Sequence, residues 1–382
     1  MRQPPLSLYL HFPWCVRKCP YCDFNSHKAG NDPPRDRYVS ALLSDLQREA
    51  KRSDQRPVKT IFLGGGTPSF FAPDEIAKVL LSAHEHLNVD TDCEITMEAN
   101  PGTLERGSLA AYREAGVTRL SLGAQSFDAN MLLVLGRIHG PDDIRSAYDD
   151  ACAAGFSSIN IDLMFALPGQ DLAGAISDID KLLALGPPHI SYYQLTLEPN
   201  TTFYKRPPPG IPDDDLAWTI QERCHERLAA AGYQKYEISA FARPGHRCRH
   251  NLNYWTFGDY LAVGAGAHGK LTDVDGVAWR YQKAANPRTY IEQAESGHWN
   301  EPASRIGQDE FLFEFMLNAL RLSDGFSEQD LRDRTGIEAA AELRPVTEAL
   351  ADGLIEQTGP GHWRPTATGF RYLNDLQARF LP

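Results

Sequence analysis

Through the first 240 residues, short runs of Leu, Ile, Val and aromatic residues alternate with longer stretches whose apolar positions recur every three or four residues. The short runs predict strands at 6–12, 59–64, 94–99, 119–125, 158–163 and 190–197. The longer stretches predict helices at 38–51, 73–87, 103–115, 142–154, 172–185 and 214–231. Gly116, Gly155 and Gly186 stand at helix exits, where the left-handed conformation that ends a helix suits glycine. Six strand–helix units in succession imply parallel strands with right-handed crossovers. Periodicity does not separate an open barrel from a doubly wound sheet, but the placement of polar residues helps. GGGTP (64–68), Glu98 with Asn100, Gln125 and Asp162 fall at or just past the carboxyl ends of successive strands. That rim is where a (β/α) barrel gathers its site. The expected fold is α/β, an open six-unit (β/α) partial barrel over 1–240, with the doubly wound sheet as the alternative.

Beyond residue 235 the pattern changes. Residues 235–242 read as a further strand, and 241–308 as an irregular connecting segment that carries HNLNYW at 250–255. Residues 309–382 read as helix, helix, wing and helix, a small winged-helix-like α+β domain. Winged helices often bind DNA, yet residues 311–382 hold seven arginines, no lysine and 11 acidic residues. The whole chain has 38 Lys and Arg against 50 Asp and Glu, so a nucleic-acid partner is disfavoured. No run of 18 apolar residues suits a membrane span, and the opening MRQPPLSLYLHFPWC lacks the apolar core of a secretory leader. A cytoplasmic location is expected, with peripheral membrane contact left open.

Seven cysteines, an odd number, do not suggest a disulfide framework in a chain of 382 residues. Cys93, Cys152, Cys224 and Cys248 are scattered, whereas Cys15, Cys19 and Cys22 form C-x3-C-x2-C just after the first strand. Three soft thiolates at this spacing can converge on a metal centre. Zinc would want a fourth ligand, from His11 or His27. Three thiolates on a [4Fe–4S] cluster would leave one iron open. Three buried structural thiols are the remaining reading.

The string YLHFPWCVRKCPYCDFNSH resembles the cluster loop of the radical S-adenosylmethionine (SAM) superfamily. Within it, the string is most like the branch that contains oxygen-independent coproporphyrinogen III oxidase and its heme-chaperone relatives. The resemblance implies that the open iron binds the amino and carboxylate groups of SAM, and that electron transfer cleaves the S–C5′ bond to a 5′-deoxyadenosyl radical. It also assigns residues. Gly65, Gly66 and Thr67 match the glycine motif beside the methionine moiety, and Glu98 in ITMEANPGT matches a carboxylate that contacts a cofactor. Gln125 in GAQSF and Arg137 in LGRIH fall on matching positions, and Asp162 in NIDLMFALPGQ stands where the family reads a ribose hydroxyl pair. Tyr9 and Tyr21 match aromatic positions near bound cofactor. Any one of these could be a cap, an ion pair or plain packing. Their order along the chain is what carries the resemblance.

Two features separate the oxidase from its chaperone relatives. The oxidase has a further cysteine two residues after the third ligand, where this chain has Phe24, and an extension ahead of the cluster loop. Both departures weigh against coproporphyrinogen decarboxylation, which stays as the alternative activity. HNLNYW matches an HNxxYW motif that the chaperone branch links to heme. His250 could ligate heme iron, while Tyr254 and Trp255 offer flat apolar faces to a porphyrin. Cys248, His246 and His268 are rival ligands, and a packed loop capped by His250 is the plainer reading. The resemblance thus implies a heme chaperone using a [4Fe–4S] cluster, SAM and heme, with respiratory acceptor proteins and self-association. It leaves open whether SAM cleavage is part of the function.

Overall fold

The computed structural model describes residues 3–102 and 108–382. The six apolar runs become parallel strands β1 (Leu6–Phe12), β2 (Val58–Gly65), β3 (Val89–Ala99), β4 (Arg119–Gln125), β5 (Ser158–Phe165) and β6 (His189–Gln194). Each pairs with the next in chain order. A doubly wound sheet must reverse its strand order at a switch point, and no reversal occurs. The alternation of side chains along each strand explains the layering. Leu6, Leu8 and Leu10 of β1, Leu120 and Leu122 of β4, and Ile159 and Ile161 of β5 join one apolar core with the helices. The opposite face is polar. Ser7 and Thr60 hydroxyls meet at 2.8 Å, Asn160 Nδ2 donates to Ser121 Oγ at 2.8 Å, and Ser191 Oγ donates to Asn160 Oδ1 at 3.0 Å. The inside of the barrel is therefore built for polar guests.

The expected strand at 235–242 is a hairpin, β7 (Gln234–Glu237) and β8 (Ala240–Ala242), with β8 antiparallel to β6. The larger correction concerns 241–308, which does not merely connect. It supplies β9 (Asp259–Val263), parallel to the free side of β1, followed by antiparallel β10 (His268–Thr272), β11 (Ala278–Gln282) and β12 (Ala303–Arg305). The open 12-stranded sheet runs β12-β11-β10-β9-β1-β2-β3-β4-β5-β6-β8-β7. Glycine-rich LAVGAGAHGK hid this strand pair. Gly264 and Gly266 adopt φ of +107° and +77°, and a Cβ there would come 2.5 Å from the His11 carbonyl and 2.1 Å from the Asn25 amide.

The expected helix at 103–115 begins outside the described residues; its remainder is a helix at Leu109–Glu114, capped by Ser108. The C-terminal domain has helices Phe311–Ala319, Glu328–Thr335 and Arg344–Ala351 around β13 (Phe326–Ser327), β14 (Ile355–Gly359) and β15 (His362–Pro365), ordered β13-β15-β14. Its own core includes Phe315, Leu331 and Trp363. A bridge between Glu237 and Leu322 ties it to the barrel, beside a bond from Ser323 N to Tyr236 O of 2.9 Å. Among the described residues, no helix is long and apolar enough to cross a membrane.

Candidate functional site

The loop after β1 folds back on itself through His27 N to Pro13 O at 2.7 Å and Ala29 N to Cys15 O at 2.8 Å. Asn25 fastens its far side, donating from Nδ2 to Ala265 O at 3.0 Å and Ala285 O at 2.8 Å, while its own carbonyl meets His11 Nε2 at 2.9 Å. The glycine motif closes the near side. Gly66 N donates to Phe12 O at 2.6 Å and Thr67 N to Trp14 O at 3.0 Å. A Cβ on Gly66 would sit 2.7 Å from that Phe12 oxygen, so only glycine lets the two segments approach.

Each cysteine sulfur has a polar neighbour. Thr67 Oγ1 donates to Cys15 Sγ at 3.3 Å, an Arg137 guanidinium nitrogen donates to Cys19 Sγ at 3.5 Å, and Cys22 Sγ lies 3.6 Å from Ser26 Oγ. Arg137 is held there by a second bond, 2.8 Å long, to Gly123 O. Burial pushes the Cys15 thiol up to about 11 and raises Cys22 as well, so ligation must displace their protons. A single zinc ion does not suit the arrangement. Four ligands at about 2.3 Å from zinc bring sulfurs within about 3.8 Å of each other. Among the described residues, the set of three ligand atoms gathered within 4.8 Å is instead Asp45, Glu49 and Glu301. His11 has both ring nitrogens engaged, and His27 faces a separate pocket beside Trp14 and Arg37. Three thiols spread around one cavity with no histidine among them fit a polynuclear iron–sulfur cluster with one open iron.

That cavity has a volume of about 590 Å³ and gathers Cys15, Cys19, Cys22, Tyr21, Gly65, Gly66, Thr67, Glu98, Gln125, Arg137, Asp162 and Trp255. Gly65 N donates to Glu98 Oε2 at 3.1 Å. Burial, with Asp162 adding to it, pushes the Glu98 carboxyl up to about 8. Burial also raises Asp162, against the donors Asn160 Nδ2 at 2.7 Å and Ser121 Oγ at 3.1 Å. Gln125 takes a left-handed φ of +73° and accepts from Tyr193 OH at 2.9 Å. Two carboxylates, a glycine cradle and fixed donors beside three thiols suit a cofactor with amino, carboxylate and ribose hydroxyl groups.

Tyr9 and Tyr254 do not line this cavity. They line a neighbouring one of about 360 Å³ with Tyr260 and His268, adjoining the first at Gly65 and Glu98. His250 lines neither. It is buried, with Nδ1 2.8 Å from Thr60 Oγ1 and Nε2 3.1 Å from Tyr254 OH, and burial lowers it to about 3. The hexamer is a helix (Arg249–Trp255), so residues four apart share a face. His250 and Tyr254 lie on one face, and Asn251 and Trp255 lie on another that reaches the larger cavity. Of the rival ligands, Cys248 is buried against Glu94, whereas His268 is exposed. Sequence reasoning did not find Asn25, Asn160, Ser121 or Tyr193, which hold the motif residues in place. The spacing of Asn160 and Asp162, two apart on one strand, was the available signal.

Residues 9–182 match the family model of the radical SAM superfamily, and residues 306–372 match the HemN C-terminal domain. The fold is shared with a solved structure of Escherichia coli coproporphyrinogen III oxidase (HemN), at a TM-score of 0.83 and 22% identity over 99% of this chain and 90% of that one. Fold and donor set define a radical SAM protein. Among curated relatives, heme chaperone HemW of Escherichia coli K12 is 45% identical over 100% of this chain and 99% of its own, and HemW of Bacillus subtilis is 34% identical over 92% and 93%. The chain belongs to the HemW family.

Proposed function

We propose that this protein binds heme and passes it to acceptor proteins, on a radical SAM scaffold. The reading rests on likeness along the entire chain to relatives named heme chaperones, 45% identical over 382 residues. In this reading Cys15, Cys19 and Cys22 hold a [4Fe–4S] cluster, and Gly65, Gly66, Thr67, Glu98, Gln125, Arg137 and Asp162 hold SAM, with Tyr9 and Tyr21 nearby. Bound there, the cluster supplies an open iron and an electron to the cofactor. Thr67 and Arg137 direct donors at the cluster sulfurs, and Tyr193, Ser121 and Asn160 keep Gln125 and Asp162 aimed at the cofactor. Trp255 offers an aromatic face for the porphyrin in the larger cavity, whereas His250 orients Tyr254, through its ring nitrogen, in the neighbouring one. Phe24, 59% exposed, stands where the oxidase has a cysteine, which supports carriage over decarboxylation. A cytoplasmic location, self-association and respiratory acceptors extend the reading and rest on the resemblance alone.

The test uses the anaerobically reconstituted full-length chain. Heme is titrated, and coproporphyrinogen decarboxylation is assayed on the same sample. Stoichiometric heme binding without decarboxylation is expected. Turnover without stable heme binding would overturn the reading in favour of coproporphyrinogen oxidation.

A further inference from the structure

The larger cavity continues past Asp162 to residues that no motif assigns. Asp162 on β5 pairs with Ser191 on β6, Ser191 with Ala240 on β8, and Ala240 with Glu237 on β7. Three strand spacings of about 4.8 Å put Glu237 about 14 Å from Asp162. There Glu237, Trp255 and Arg321 line the same cavity. Each has a buried polar atom without a hydrogen-bond partner: Glu237 Oε2, Trp255 Nε1 and Arg321 Nε. Glu237 is only 4% exposed. Buried polar groups nearly always find a partner, so three unmet ones along one wall mark a place for a guest. The place is also well fixed. Arg321 comes from the C-terminal domain, next to the Glu237–Leu322 bridge, and its guanidinium lies 4.4 Å from the centre of the Trp255 ring.

We propose that Trp255 and Arg321, beside Glu237, form a subsite for a carboxylate of the cargo, a heme propionate; this deepens the heme reading above and rests on it. The indole and guanidinium N–H groups are donors only, and two such donors match the two oxygens of a carboxylate. Burial raises the Glu237 carboxyl, with Arg321 opposing. The C-terminal domain thus contributes a ligand contact as well as a cover.

The experiment compares heme with heme dimethyl ester, which keeps the iron and the ring but masks both carboxylates. Wild-type reconstituted protein is expected to bind heme roughly tenfold or more tightly than the ester, the scale of a charge-assisted contact. Arg321→Leu should lose that preference while still binding the ester, and Arg321→Lys should recover part of it. If Arg321→Leu does not fold, Trp255→Phe, which keeps the ring and removes the N–H, should narrow the preference instead. An equal affinity of the wild type for both ligands, or an unchanged preference in these variants, overturns the subsite while leaving heme binding intact. Failure of the wild type to bind either ligand overturns the heme reading and the subsite with it.

Discussion

Lys283 is fully buried, and replacing it with methionine should be among the most damaging single changes outside the cavity. Its ammonium donates to Asp45 Oδ1 at 2.7 Å, Glu49 Oε1 at 2.8 Å and Glu301 Oε1 at 2.6 Å, with no solvent at the first two carboxylates. Arg48 and Arg52 complete the set, so three cations balance three carboxylates. Lys283→Met fills the volume but leaves one negative charge in excess, with the carboxylates still within 4.8 Å of one another. Removing one partner from a buried ion pair costs about 3–5 kcal/mol, and the two arginines that remain put this case at about 3. Urea unfolding of the cluster-free chain, followed by intrinsic tryptophan fluorescence, to which the adjacent Trp299 contributes, reads the loss without the screening that an ionic denaturant would bring. Lys283→Met with Glu301→Gln should recover part of it, because one stranded carboxylate is gone. A loss of less than about 1 kcal/mol would refute the argument that the lysine holds the charges together. The change should also reach the iron. Asp45 accepts from Gly264 N at 3.3 Å, next to the Ala265 carbonyl that fastens Asn25, so the variant should lose its cluster faster in air.

Other expectations concern the site itself. Cys19→Ala should abolish cluster assembly in a barrel that stays folded; unchanged iron and sulfide content would remove Cys19 from the ligand set. Gly66→Ala pushes a methyl group against the Phe12 carbonyl, and overpacking of this kind costs about 1–3 kcal/mol. Iron retention and urea melts should both fall. Glu98 has a folded value of about 8 against an ordinary 4.5, so the folded chain holds an extra proton between the two. The Glu98 contribution to the stability of the cluster-free chain should therefore decline as pH rises from about 5 to about 8. Buried neutral histidines such as His250 contribute in the opposite sense below about 6.5, so the effect is read as the pH-dependent difference between wild type and Glu98→Gln. A difference between wild type and Glu98→Gln that stays constant over that range would show that the carboxyl is not held neutral.

The six parallel strands were legible because each apolar run is bounded by a turn and followed by an amphipathic helix. β9 was not, because its exit is written in glycines that serve close approach to His11 and Asn25 and carry no periodic signal. The cysteine loop and glycine motif could be read as strings, since their parts are contiguous. HNLNYW could be misread for the same reason: six adjacent letters suggest one patch, but helical spacing sends His250 and Trp255 to different sides. Glu237 and Arg321 belong to different domains and meet only through a β-bridge, which no local pattern announces.

The position of β9 beside β1 also sets an order of events during synthesis. The first strand emerges with one side unpaired, and its partner is not made until residues 259–263 follow. At typical ribosome speeds that interval is on the order of tens of seconds. Until then Asn25 has neither carbonyl to hold, since Ala265 and Ala285 lie further along still. The cysteines are translated well before the frame that fixes them, which is among the last parts of the barrel to form. Iron delivered to a nascent chain would meet three loose thiols, so cluster loading belongs after the barrel has closed on its own beginning.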